Sequence, residues 1–375
     1  MPLNAKHRVI VVTFVIVIIV VFVIVFAETF GAESNPTGNP LGGGPGYNSI
    51  ISPTDSRVKY VVSNKDQLLN ALKSVKSGEV IFVKGDADID LTGTWGHVIP
   101  AGVTLASDRG SGGSAGGRIF RYRTSPPYED NGFSKIPMLV AGGDNVRITG
   151  LRLEGPDKIQ DENHEAAGID IKSAIEAENR TGFEVDNCEI WGWSYAGISL
   201  TNGKNSPAVA YIHHNYMHHC QERGYGYGIV IGGGTALIEA NLFDYTRHAI
   251  TGAGIPMEGY EARYNIHLGH GTAIGSHHFD VHAYPTDGQP SSIAGNLYKI
   301  HHNTFEETEV ECIGIRATPT TGMYIDHNIF NVPPGKPVFK KSYNANSLNM
   351  FVTSNYWNGV LYKSDEIVDY QSDSE

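Results

Sequence analysis

One phrase recurs along the second half of this chain: a short apolar–polar alternation, then Asn, then a bulky apolar or aromatic residue. It reads FEVDNCEI (183–190), YIHHNYM (211–217), LIEANLF (237–243), EARYNIH (261–267), KIHHNTF (299–305), YIDHNIF (324–330) and FVTSNYW (351–357). The asparagines are Asn187, Asn215, Asn241, Asn265, Asn303, Asn328 and Asn355, spaced 28, 26, 24, 38, 25 and 27 residues apart. A period of this length marks a repeat architecture. Alternation inside each repeat marks strands. One Asn at the same point of every repeat predicts side-chain amides bonded to each other up a stack. The fold that satisfies all three is a parallel β-helix, rising about 4.8 Å per coil. Helical repeat arrays are excluded, because no 3.6-residue pattern accompanies the period.

Composition agrees. With 44 Gly and 18 % charged residues the chain is turn-rich and β-rich. A solenoid lengthens without needing a second core, so 375 residues need not mean two domains. The net charge of −12 argues against a nucleic-acid partner. Cys188, Cys220 and Cys312 lie one, five and nine residues beyond their nearest ladder Asn. They therefore fall in different columns and are expected as buried free thiols.

The N-terminus carries Lys6, His7 and Arg8, then 19 uncharged residues, Val9–Ala27. That is long enough to span a bilayer and places the following domain outside the cytoplasm. VFA at 25–27 also fits a cleavage site, so residues 1–30 read as an uncleaved anchor or a removed signal. Residues 31–55 are Gly/Pro-rich and read as a flexible linker. The β-helix is expected over 56–362, and 363–375 reads as a frayed acidic tail. Asn64 and Gln67 have capping-box spacing, and Leu68, Leu69, Leu72 and Val75 share a helical face. A short amphipathic helix there would close the open apolar end of the first coil.

The run from Asn64 to Gly85, the DIDL that follows, and IPAGVTLASDRG (99–110) resemble the N-terminal cap and first coil of the pectate-lyase-like right-handed parallel β-helix superfamily. The HHNYM and HHNTF phrases resemble its coil turns, and the likeness spans about residues 58–360. It implies an all-β, right-handed parallel β-helix and a carbohydrate-active protein. The superfamily holds lyases, hydrolases, epimerases and non-enzymes, so activity must be argued from the site.

A second column of strands follows the ladder: AGIDIK (167–172), AGISLT (196–201), YGIVIG (227–232), HAITGA (248–253), TAIGSH (272–277) and IGIRAT (313–318). Aligning Ile169, Ile198, Ile229, Ile250, Ile274 and Ile315 as inward residues turns Asp170, Lys172, His277 and Arg316 outward, with small residues between them. Tyr195, Tyr225 and Tyr227 border this face as candidate sugar-stacking residues. The densest reactive text is LGHGTAIGSHHFDVHAY (268–284), holding His270, His277, His278, Asp280 and His282, about one coil after Arg247 and His248.

Three chemistries fit. β-Elimination from a uronic acid needs a cation for the carboxylate (Arg247 or Arg316), a base for the C5 proton (His248 or His277), and a donor to the leaving oxygen (Tyr264 or Tyr284). His270, with Asp170, Lys172 and the three tyrosines, would contact the polymer. Alternatively His278, Asp280 and His282 alternate along one strand face as ligands for Zn²⁺ or a related ion. Glu306–Glu311 could hold Ca²⁺, although a solvated acidic face explains them as well. Glycoside hydrolysis by paired carboxylates is the third, but no close Asp pair stands out. The expected partner is an anionic polysaccharide. The rival from another class is a non-catalytic cell-surface glycan-binding β-helix.

Overall fold

The computed structural model describes residues 35–122, 136–156, 173–221, 224–270, 277–286, 289–290, 293–306, 310–333, 336, 338–341 and 349–362. Among these, three long sheets stack coil upon coil, two of 11 strands and one of nine, parallel except for the final pair Asn355–Trp357 and Val360–Tyr362. Each coil visits them in turn. Phe183–Asp186 lies in the first sheet, Glu189–Trp191 in the second and Ala196–Leu200 in the third. The next coil repeats the order with Val209–His213, Tyr216–Cys220 and Tyr227–Ile231, each pairing in parallel with its predecessor.

The repeated Asn sits at the corner between the first and second sheets. Asn215 Nδ2 donates to Asn241 Oδ1 at 3.0 Å, Asn241 to Asn265 at 3.0 Å, Asn265 to Asn303 at 2.9 Å, Asn303 to Asn328 at 3.0 Å and Asn328 to Asn355 at 3.0 Å. Each amide also reaches a backbone carbonyl of the preceding coil, as Asn265 Nδ2 does to Ile238 O. These side chains are almost wholly buried, so the mutual bonding removes what would otherwise be a large desolvation cost. The residue before the Asn takes a left-handed conformation, from His214 (φ 52) to Ser354 (φ 55), which turns the chain sharply from one sheet to the next. Asn187 begins the ladder and bonds instead to Gly44 N and Arg109 O.

The interior is one continuous apolar column. Its N-terminal end is closed by the helix Lys65–Ser74, whose N-cap Asn64 accepts from Gln67 N while Gln67 Oε1 accepts from Ser63 N. Leu68, Ala71 and Leu72 face the core. Cys188, Cys220 and Cys312 are buried and outside any disulfide, in line with their different columns.

From Thr37 onward, the Gly/Pro-rich segment read as a linker makes specific contacts with the solenoid. Tyr47 Oη donates to Asp186 Oδ2 at 2.8 Å, Gly42 N donates to Ala240 O, and Thr37 Oγ1 meets His214 Nε2 at 2.7 Å. Among the described residues no helix is long and apolar enough to cross a membrane. The apolar segment 9–27 and the tail 363–375 lie outside the described residues.

The third sheet departs from the expected register. Ile198, Ile229, Ile250, Phe279 and Ile313 form its inward column. Phe279 thus takes the place expected for Ile274, which lies outside the described residues, and Ile315 pairs one step further along, with Val281. The coil before Ala196–Leu200 uses Ile175–Ala177 rather than 167–172, which also lies outside the described residues together with Asp170 and Lys172.

Candidate active site on the third sheet

The outward column of the third sheet runs Val230, Thr251, Asp280, Gly314, Lys340 from coil to coil. Asp280 is the hub. Its Oδ1 lies 2.9 Å from His277 Nε2 and accepts from Arg316 Nε at 3.1 Å, and its Oδ2 accepts from Thr251 Oγ1 at 3.2 Å. Burial pushes the Asp280 carboxyl up, but His277 and Arg316 more than offset it and hold it well below the usual range. Asp280 is therefore a buried anion whose charge-assisted bonds fix the guanidinium of Arg316. The third-exposed Arg316 also brings Nη1 to 3.4 Å from His282 Nε2.

His277 stacks on His248 from the preceding coil, with ring centroids 4.4 Å apart and planes at 24°. His248 Nδ1 meets the carbonyl oxygen of His277 at 2.5 Å. Both rings are 1 % exposed. Burial lowers both, the His248 imidazole far below its ordinary value with His277 adding to the effect; for His277 the adjacent Asp280 opposes it. His277 has room because the next coil offers Gly314 there: a Cβ at that position would stand 2.4 Å from the ring.

Aromatic residues line the approach. Tyr227 lies parallel to His248, 5.7 Å away at 5°, and Tyr195 meets Tyr225 and Tyr227 with centroids 5.6 Å apart in both pairs. Tyr225 is the most open of these tyrosines, at 36 %. Arg247 precedes His248 and its backbone bonds Cys220 O and Gly226 O.

No family model matches the sequence, and no curated protein does. Solved structures do match. An alginate lyase from Paenibacillus sp. str. FPU-7 aligns with a TM-score of 0.54 at 13 % identity, over 80 % of this chain and all (100 %) of that one. The shared fold is the parallel β-helix. A pectate lyase variant from Bacillus subtilis (TM-score 0.41, 14 % identity, 89 % of each chain) and a pectate lyase bound to a hexasaccharide (0.40, 14 %, 90 % of each) align more loosely. At such identities the likeness is one of architecture.

This β-helix brings together much of the expected constellation and disperses the rest. Arg247, His248, His277, Asp280, His282, Arg316 and the three tyrosines belong to the third sheet and the turns leading into and out of it. Tyr264 does not. It occupies the left-handed corner beside the Asn ladder, between the other two sheets, against the His302 ring at 5.1 Å. His270 closes the second-sheet side instead, where Nδ1 pairs with Asp244 at 2.9 Å and the ring stacks on Tyr245.

The His278–Asp280–His282 ligand set is not assembled. His278 turns into the core and lies against His267, 3.5 Å between centroids, while His282 turns to Arg316. The reason is local: the third-sheet strands begin with two successive inward residues, so two-residue alternation fails there. Gly228 shows the same geometry, since a Cβ on it would touch the Phe243 ring in the core at 3.1 Å. The group that does converge is His248, His277 and Asp280, with one ligand atom from each within 4.8 Å of the others. Of the acidic strip, Glu307 and Glu309 lie outside the described residues; Glu306 bonds Asn331 and Glu311 pairs with His277 in register. One site residue, Lys340, escapes sequence reasoning. Thr251 does not: as the residue after Ile250 it is outward in the same alignment, though only coil stacking ties it to Asp280. Lys340 stands two coils beyond Asp280 in the same column, in a strand with no motif.

Proposed function

We propose that the chain is a polysaccharide lyase acting on a uronic-acid polymer. The observation that carries this reading is Arg316: a partly exposed guanidinium pinned by a buried carboxylate, beside an imidazole, on a face bordered by tyrosines. The architecture shared with an alginate lyase supports it.

The chemistry follows from these groups. Arg316 pairs with the uronate carboxylate and stabilises the negative charge that develops as the C5 proton leaves. His282 takes that proton. Its Nδ1 lies 2.6 Å from Ala283 O and so carries the ring hydrogen, leaving Nε2 as a lone pair beside Arg316. The C5–H electrons form the C4=C5 double bond, the C4–O bond breaks, and the departing oxygen takes a proton from water. His282 thus replaces the buried His248 and His277 as base. Tyr225 and Tyr227 support neighbouring sugar rings. The basic-then-apolar N-terminus supports display of the domain outside the cytoplasm, anchored or released.

Alginate, pectate, hyaluronan and chondroitin incubated with the protein test this reading through ultraviolet absorbance of the unsaturated product. Product from at least one polymer, lost in His282→Ala, is expected. Polymer binding without product from any of them would favour a glycan-binding module instead.

A further inference from the structure

We propose that His248, His277 and Asp280 form a binding site for one divalent transition-metal ion of the zinc class, buried beneath the Arg316–His282 pair. The proposal goes beyond the lyase reading, since no step of the elimination runs through the ion.

Two imidazoles and one carboxylate, convergent within 4.8 Å, make a nitrogen-rich donor set that suits zinc and its neighbours rather than calcium, which takes oxygen. The second observation is the tautomer of His248. Its Nδ1 faces a carbonyl oxygen, which only accepts, so Nδ1 must carry the hydrogen. Nε2 is then a bare lone pair. It is buried and has no hydrogen-bond partner among the described residues. A histidine that donates one nitrogen to a backbone carbonyl and offers the other is arranged as metal ligands are. Thr251 occupies one lone pair of Asp280 Oδ2 and leaves the other available.

The solenoid explains how such a site forms. His248 and His277 occupy the same position of successive coils, and coil stacking alone brings their rings to 4.4 Å. Asp280 then reaches back over one strand. Three cations, Arg247, Arg316 and Lys340, face the cluster and oppose a further positive charge. Arg316 is a third exposed, so solvent partly screens its charge beside the ion.

A second group of ligand-type residues provides the contrast. Glu184, Asp186 and His213 also converge on the first sheet. There Asp186 accepts from Arg147 twice, from Thr149 and from Tyr47, while His213 bonds Glu184 and His214. Those donors are spent on one another, and that cluster is structural.

The test is calorimetric titration of the chelator-treated full chain with Zn²⁺. One ion per chain is expected. His248→Gln and Asp280→Asn should each weaken binding about a hundredfold or more, and His327→Ala, at an exposed corner, should leave it unchanged. Pulsed EPR of the Cu²⁺-loaded wild-type protein should show coupling to imidazole nitrogen, a readout that needs no variant to fold. Absence of a stoichiometric ion, equal affinity in the variants, or no imidazole coupling would overturn the proposal. Zinc bound with no elimination on any polymer would remove the lyase reading and leave this site standing; elimination with no ion bound would do the reverse.

Discussion

The ladder corner and the third-sheet face solve the same problem in opposite ways. Both bury polar side chains on a stack of coils. At the corner, each Asn from 215 to 328 repeats the same bonds, and its amide is satisfied by the coils before and after it. On the face, no two coils present the same residue: Val230, Thr251, Asp280, Gly314 and Lys340 follow one another. There the bonding is uneven. Asp280 carries three close partners, whereas the buried Nε2 of His248 has none among the described residues. Repetition stabilises; the break in repetition creates reactive groups. A buried donor or acceptor left unpaired costs about 1–3 kcal/mol, so it persists where the surrounding coils are strong enough to hold it.

That contrast can be broken most forcefully at the ladder. Asn265→Ala removes the acceptor of Asn241 N and Nδ2 and the side-chain donor to Asn303 Oδ1 and Ile238 O. A loss of about 3 kcal/mol or more is expected in denaturant unfolding, since several buried groups lose partners together. Gly314→Ala comes next. The added methyl meets the His277 ring, and overpacking of this kind costs roughly 1–3 kcal/mol. Its diagnostic is displacement of the His277 imidazole resonances in NMR.

His267→Phe probes the core instead. His267 stands between Phe243 and Phe305 in one inward column, so Phe fits the stack. Burial holds its imidazole down at about 3, against 6.5 ordinarily. The unfolded chain therefore takes up a proton first as pH falls through 6.5, and this group's stabilisation drains away until pH reaches about 3. His267→Phe should flatten the acid limb of the stability profile, while loss of the Gly269 N–H bond to His267 Nδ1 costs about 1–3 kcal/mol at all pH values. An unchanged acid limb would show that the core histidines are not what acid attacks. The smallest effect belongs to the rim: Tyr225→Ala should raise KM several-fold, an aromatic contact being worth about 0.5–1.5 kcal/mol, with kcat little changed.

The same contrast governs what the sequence made legible. The ladder could be read directly because each coil demands the same residue at the same corner, and the helix cap because Asn64 and Gln67 act locally. The third sheet could be read only in part. Its strands open with paired inward residues, such as His278 with Phe279, so strict alternation put His278 on the wrong side of the wall. Tyr264, a candidate donor to the leaving oxygen, stands only six residues before His270 in sequence, but a coil places it at a ladder corner far around the cylinder from the third sheet. Lys340 is invisible until coils are stacked, because its relation to Asp280 exists only across coils.

The central claim is that Arg316, held by Asp280, is the cation that makes a uronate C5 proton removable. Initial rates of unsaturated-product formation on the preferred polymer, compared between wild type and Arg316→Ala at matched folding, test it most directly. We predict a loss on the order of a hundredfold or more in kcat. Equal rates in the two proteins would contradict the claim.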